Sequence, residues 1–142
     1  MNRSAMYATA IVVAHLLVNI VHGLAHSELH VGLAPLASIF VVVVVLIFPL
    51  IAMGLSWTAA KRIGLILLSL SMFGSLLFGL YHHLLVVSPD HVRSQPASAW
   101  GTTFVVTACL LLIAEAIGTY VGVHFLWIAK ETSNKAVKVR FR

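Results

Sequence analysis

Apolar residues fall in four long blocks, roughly 5–26, 31–55, 63–87 and 104–129, and most polar residues gather between and after them. Each block reaches the roughly 20 residues a helix needs to cross a bilayer. Lipid cannot satisfy backbone N–H and C=O groups, so each block is predicted to be a helix. None has the polar/apolar alternation of a membrane barrel strand. Pro49 lies inside the second block and is expected to kink it, whereas Pro35 sits near its start, where proline is tolerated. The links 27–30 and 56–62 are short; the third, 88–101, is longer and carries Pro89 and Pro96. Short links make neighbours antiparallel. The expected fold is an all-α integral membrane protein, one domain over 1–142 built as a four-transmembrane-helix, up-down-up-down bundle.

Composition strengthens this reading. Hydrophobic residues make up 61% and charged residues 9%, against about 25% charged in soluble chains, and the mean hydropathy is +1.03. A disordered chain and a wet-surfaced soluble enzyme are excluded. One cysteine excludes a disulfide framework or a multi-thiolate metal site within the chain. The first block follows a short basic start, Met1-Asn2-Arg3. It carries His15, Asn19, His22 and His26 and offers no evident small-x-small cleavage site, so it is read as a retained helix rather than a signal peptide.

The net charge of +5 invites a nucleic-acid reading, but the placement of the basic residues argues for topology instead. Arg3, Lys61, Arg62, Lys130, Lys135, Lys138, Arg140 and Arg142 fall on one side and Arg93 alone on the other. The positive-inside rule then predicts cytoplasmic N- and C-termini and a multi-pass protein of the plasma (inner) membrane. Trp57 and Trp127 fall at the inner interface and Trp100 at the outer one. The basic tail 130–142 is read as a topology determinant and an anchor to anionic lipid; no nucleic acid is expected as a partner.

Eight histidines against four acids are the unusual feature. In this topology His22, His26, His30, His82, His83 and His91 lie in or just above the outer half, His15 lies deeper, and His124 lies toward the inside. His15, Asn19, His22 and His26 are spaced 4, 3 and 4 and fall within an arc of about 60° on a helix, with His30 continuing it if the helix extends that far. Such a stripe is costly against lipid and should face the bundle interior. On the third span Ser71, Ser75 and His82 share an arc of about 40° with Gly79 close by, while His83 lies about 100° further round. At most one of the adjacent pair points straight at the centre. On the fourth span Thr107, Glu115, Gly118 and Gly122 share a face, and Glu115 is the one acid within an apolar block. His124 is about 180° from Glu115. The second span has no ionisable residue. A weak echo, His22/Glu28/His30 and His83/Asp90/His91, has the spacing of a two-hairpin repeat, though chance accounts for it at least as well.

Imidazoles at i and i+4 converge on one metal ion, and a histidine on a facing helix at similar depth completes a ligand set. The first expectation is a metal site in the outer half: His22, His26, His82 or His83, and Glu115, with His15 and Asn19 supporting them. Zinc, copper, iron and manganese suit such a nitrogen and oxygen set. The second is a haem b between spans one and three, held by His22 or His26 and by His82 or His83, passing electrons between a quinol and an outer-side partner. Either gives redox or metal-handling chemistry, and neither establishes an enzyme. The third is a non-catalytic accessory subunit whose polar face meets a membrane-protein partner or a second copy. Glu28, His30, Asp90 and His91 are read as solvated loop residues, Cys109 as packing, and Gly118 and Gly122 as a close helix contact. No phosphate loop, nucleotide fingerprint, HExxH or cysteine pair is present.

Overall fold

The computed structural model describes the backbone of residues 2–140 and the side chains of 2–131. Four helices run through them: α1 Arg3–Glu28, α2 Pro35–Ser56, α3 Lys61–Leu85 and α4 Ala99–Arg140. The 86–98 link holds a 3-10 turn, Val92–Ser94. Among the described residues there is no strand. All four helices are long and apolar enough to cross a membrane, over 26, 22, 25 and 33 residues. The helices form a ring in chain order, with α4 closing back on α1. Both chain ends and the 57–60 link lie at one end, here the terminal end; the 29–34 and 86–98 links lie at the other, the distal end. The basic tail's Lys135, Lys138, Arg140 and Arg142 side chains lie outside the described residues.

Large apolar side chains cover the outside of the ring, as Leu17 and Leu70 show at 60% and 65% exposure. Inside the terminal half, Ala8, Val12, Ala52, Leu68 and Met72 form a continuous apolar core. Small residues let the helices close here. A β-carbon at Gly122 would collide with Ser69 and the Leu65 carbonyl; at Gly64 it would lie 2.8 Å from the Ala52 carbonyl; at Gly118 it would lie 2.8 Å from Met72. The Gly118/Gly122 pair is therefore the α3–α4 seam that its spacing predicts.

The helix ends follow local chemistry. The Ser98 side chain accepts from the Gly101 N–H at 3.1 Å, so it caps α4 and starts that helix five residues before the apolar onset at 104. At the end of α1, Val31 N–H bonds to His26 O and His30 N–H to Ser27 O, with His30 at φ 55°. A left-handed stop of this kind usually takes glycine. His30 thus ends α1 instead of extending its polar stripe. Pro35 occupies the first turn of α2.

Pro49 leaves its mark on the turn that precedes it. The helix continues across it, and the turn before it, Val41–Ile47, widens to a π-helix. The Phe48 N–H reaches back five residues to Val43 O. Proline supplies no N–H of its own, and the wider register absorbs the resulting gap in the ladder. A second π-helical turn, Tyr81–Leu85, ends α3.

Candidate functional site

The α1 stripe faces inward as its spacing demands. Ala5, Ala8, Val12, His15, His22 and Ala25 are buried in one row. On α3 the matching row is Ser71, Ser75, Gly79 and His83, all buried. An α-helical wheel puts His82 on that row. The π-helical turn at 81–85 has more residues per turn, so a spacing of four stays on one face and His83 takes the place. His82 turns outward against Phe78, with ring centroids 4.3 Å apart, and its side chain is 27% exposed.

The polar side chains assemble in two tiers. The distal tier brings together His22, His26, His83 and Asp90. His22 and His26 face each other through their Nε2 atoms at 3.2 Å. His26 Nε2 also lies 3.2 Å from Asp90 Oδ1, and His83 Nδ1 lies 3.4 Å from the same oxygen. Phe104 floors the group, with its ring centroid 4.7 Å from that of His22 and 4.9 Å from that of His26. Asp90 is a loop residue that sequence reasoning left in solvent; it is 5% exposed. His91, 7% exposed, is the reason. Its Nε2 bonds to Leu84 O at 3.2 Å and its Nδ1 accepts from the Arg93 N–H at 3.0 Å, which folds the link back onto α3. Neither residue is solvated, and the Ser88-Pro89-Asp90 turn gave no local signal of it.

Hydrogen bonding fixes the tautomers of the three distal histidines. His26 Nδ1 meets Val31 O at 3.0 Å and His83 Nδ1 meets Asp90 O at 3.0 Å. A carbonyl only accepts, so both nitrogens carry hydrogen. His22 Nδ1 meets Thr107 Oγ1 at 2.8 Å. The Thr107 hydroxyl already donates to Thr103 O at 2.7 Å, so His22 Nδ1 is again the donor. In neutral rings every Nε2 then presents a lone pair. Two lone pairs at 3.2 Å beside a carboxylate repel unless a cation lies among them. Asp90 Oδ1 and Oδ2 are buried and have no hydrogen-bond partner. Burial pushes the Asp90 carboxyl up, but neighbouring His83, with the charges of His26 and His22, outweighs burial and holds it below the usual carboxylate range.

The second tier lies one to two turns deeper. His15 Nε2 is 3.3 Å from Glu115 Oε1, and both side chains are nearly fully buried. Asn19 Nδ2 reaches His15 Nε2 at 3.1 Å and His15 O at 3.0 Å. Glu115 therefore pairs with His15 and not directly with Asn19 or the distal histidines, and its Oε2 is buried without a partner. Below this tier the Val12, Leu68 and Met72 core closes the bundle toward the terminal end.

A cavity of about 330 Å³ joins the tiers, with His22, His83 and Asp90 at one end and Asn19 and Glu115 at the other. It exists because α1 and α2 meet mainly through the 48–56 half of α2, while the widened turn of α2 leans on α3.

The remaining candidates lie elsewhere. His124 stacks on Tyr120, with centroids 5.4 Å apart and far from either tier. Glu28 is exposed. Cys109 is exposed on the outer face of α4 and not packed inside, because it shares no face with Ala108 or Leu111. Among the described residues no group of three or more His, Cys, Asp or Glu side chains stands ready, as placed, to hold a metal ion. The fold and site thus define a polar-cored four-helix bundle with a blind distal cavity. No family model, curated protein or solved structure matches the chain.

Proposed function

We propose that this is a membrane metal-handling protein that takes up a single divalent transition-metal ion, of the zinc class, at its distal end. His22 Nε2, His26 Nε2 and Asp90 Oδ1 are the primary ligands, and His83 joins through its Nε2. One observation carries the reading: three imidazoles donate through Nδ1 to oxygen atoms, with the Nε2 atoms of His22 and His26 set 3.2 Å apart beside the buried Asp90 carboxylate, whose Oδ1 lies 3.2 Å from His26 Nε2. Fixing the second ring nitrogen on an oxygen is how metal-binding histidines are oriented. Ligand atoms about 2.0–2.1 Å from a tetrahedral ion lie about 3.3 Å from each other, and the two separations of 3.2 Å, His22 Nε2 to His26 Nε2 and His26 Nε2 to Asp90 Oδ1, match that edge. With the positive-inside orientation, uptake is from the outer side.

A single ion is favoured over haem by the packing. The His22 and His83 rings stand edge to face, with centroids 5.1 Å apart, and Phe104 touches both. A porphyrin needs its two axial imidazoles opposed across a flat open slot. Glu115 belongs to the deeper tier in this reading and is no ligand of the first ion.

Elemental analysis and an absorption spectrum on protein purified in mild detergent without added metal test the proposal. The expected result is one transition-metal ion per chain and no Soret band. His22→Gln and His26→Gln should lose affinity on the order of 100-fold or more, since ligands matter at least as much as the groups behind them. His82→Gln should keep it. A chain that stays metal-free after dialysis against zinc sinks the proposal, and the shared cation is then a proton.

A further inference from the structure

The deeper end of the cavity has its own chemistry, independent of the metal. Glu115 Oε1 lies 3.3 Å from His15 Nε2, and Oε2 is left out of that contact. That atom is buried, without a partner, and its residue lines the cavity. An acceptor left bare in an apolar surrounding is costly, so it calls for a donor from outside the chain.

The walls define the rest of the ligand. Val45 and Leu46 of α2 and Leu111 and Leu112 of α4 make the sides apolar. Gly79 lets them close over Glu115. A β-carbon there would lie 3.0 Å from Leu112, 3.7 Å from Glu115 Oε2 and 3.9 Å from His83. At about 330 Å³ the space is at the small end of ligand pockets. It suits a substituted ring and not a whole lipid. Gly23 of α1 lines the cavity, is exposed, and has nothing within 4 Å of where a β-carbon would stand, so we take this flank as the mouth. It faces the gap between α1 and the widened turn of α2, on the flank where the bilayer would lie.

We propose that the cavity binds the hydroxyl-bearing ring of a lipophilic quinol or phenol. The ring hydroxyl donates to Glu115 Oε2, the ring lies between α2 and α4, and any tail leaves past Gly23 into the bilayer. The hydrogen-bond polarity favours the reduced, hydroxyl form over the corresponding quinone, which has no donor.

The test uses the full chain in detergent, under anaerobic conditions, with tetramethyl-1,4-benzenediol as ligand and its dimethyl ether as control. Isothermal titration should give saturable binding of one diol per chain. The ether, equal in ring but without a donor, should bind at least about 5-fold more weakly, the usual cost of leaving a buried acceptor unsatisfied. Glu115→Met should abolish that discrimination. If that variant fails to fold, Gly23→Leu serves in its place: it has room at its β-carbon, fills the mouth, and should weaken diol binding at least about 10-fold while zinc binding persists. Equal binding of diol and ether overturns the proposal in favour of a plain apolar void. So does the absence of saturable binding, which leaves the cavity to water, and so does diol binding unaffected by Gly23→Leu.

Discussion

The two halves of the bundle solve the same packing problem in opposite ways. In the terminal half the helices touch through glycine, alanine and serine, and the serines bond to their own helix, as Ser69 does to Leu65 O and Ser56 to Ala52 O. In the distal half two turns widen to π-helices, α1 and α2 part, and the space between holds imidazoles and carboxylates. Among the described residues, the buried side-chain oxygens that take part in no hydrogen bond, Asp90 Oδ1 and Oδ2 and Glu115 Oε2, lie on the cavity side of the apolar core. Closely packed, satisfied structure is what holds a bundle together. Open, unsatisfied structure persists only where the rest over-determines it, and such places tend to be functional.

The largest effect should come from filling the distal half. Zinc at about 1,000 times its dissociation constant should stabilise the folded chain by about 4 kcal/mol. Thermal unfolding in detergent reads this, and His22→Gln should remove it. Hydrogen exchange should slow around 81–94 with little change around 64–72. A uniform slowing would erase the distinction between the halves. Next comes Gly122→Ala. Its β-carbon meets the Leu65 backbone, which cannot give way, so a loss of about 1–3 kcal/mol is expected, with zinc affinity unchanged. Smaller again is Thr107→Val. It removes the oxygen that orients His22 and should weaken zinc binding on the order of 10-fold. A conservative Thr107→Ser should restore it, which a packing defect would not do.

The terminal half was legible in the sequence and the distal half only partly. Length and hydropathy reveal four helices. The 4-3-4 spacing of His15, Asn19, His22 and His26 places that stripe inward, and the Gly118/Gly122 spacing marks the seam. These features repeat along regular helices, where 3.6 residues per turn holds. The readings that failed sit where it does not. The choice between His82 and His83 turned on a π-helical turn that no wheel contains. The turn before Pro49 widened to a π-helix, which hydropathy does not register. Asp90 became buried as His91 bonded to Leu84 O and the Arg93 N–H, contacts within the link and the end of α3 that depend on how the link folds rather than on helical spacing. His30 stopped a helix in a conformation that ordinarily asks for glycine. Glu115 lies on the inward face its spacing predicts, beneath the distal histidines, where it meets His15.

The smallest effect is the one that separates the halves by sign. Gly23→Ala puts on α1 the same methyl that Gly122→Ala puts on α4. At Gly122 the methyl meets backbone; at Gly23 it meets nothing within 4 Å. No packing penalty opposes it, so helix propensity decides. Alanine loses less conformational freedom than glycine, and the change should be neutral or stabilising by up to about 1 kcal/mol. Reversible unfolding in mixed micelles, comparing both variants with the parent chain, resolves a difference of opposite sign even when each change is small. A loss of stability in Gly23→Ala comparable to that in Gly122→Ala would mean that α1 and α2 close on each other in the folded protein. The cavity, and the access to it past Gly23, would go with them. The opposite sign would mean that the gap is held open by the bundle itself, since a sequence free to close it would have no reason to keep a glycine where alanine fits better.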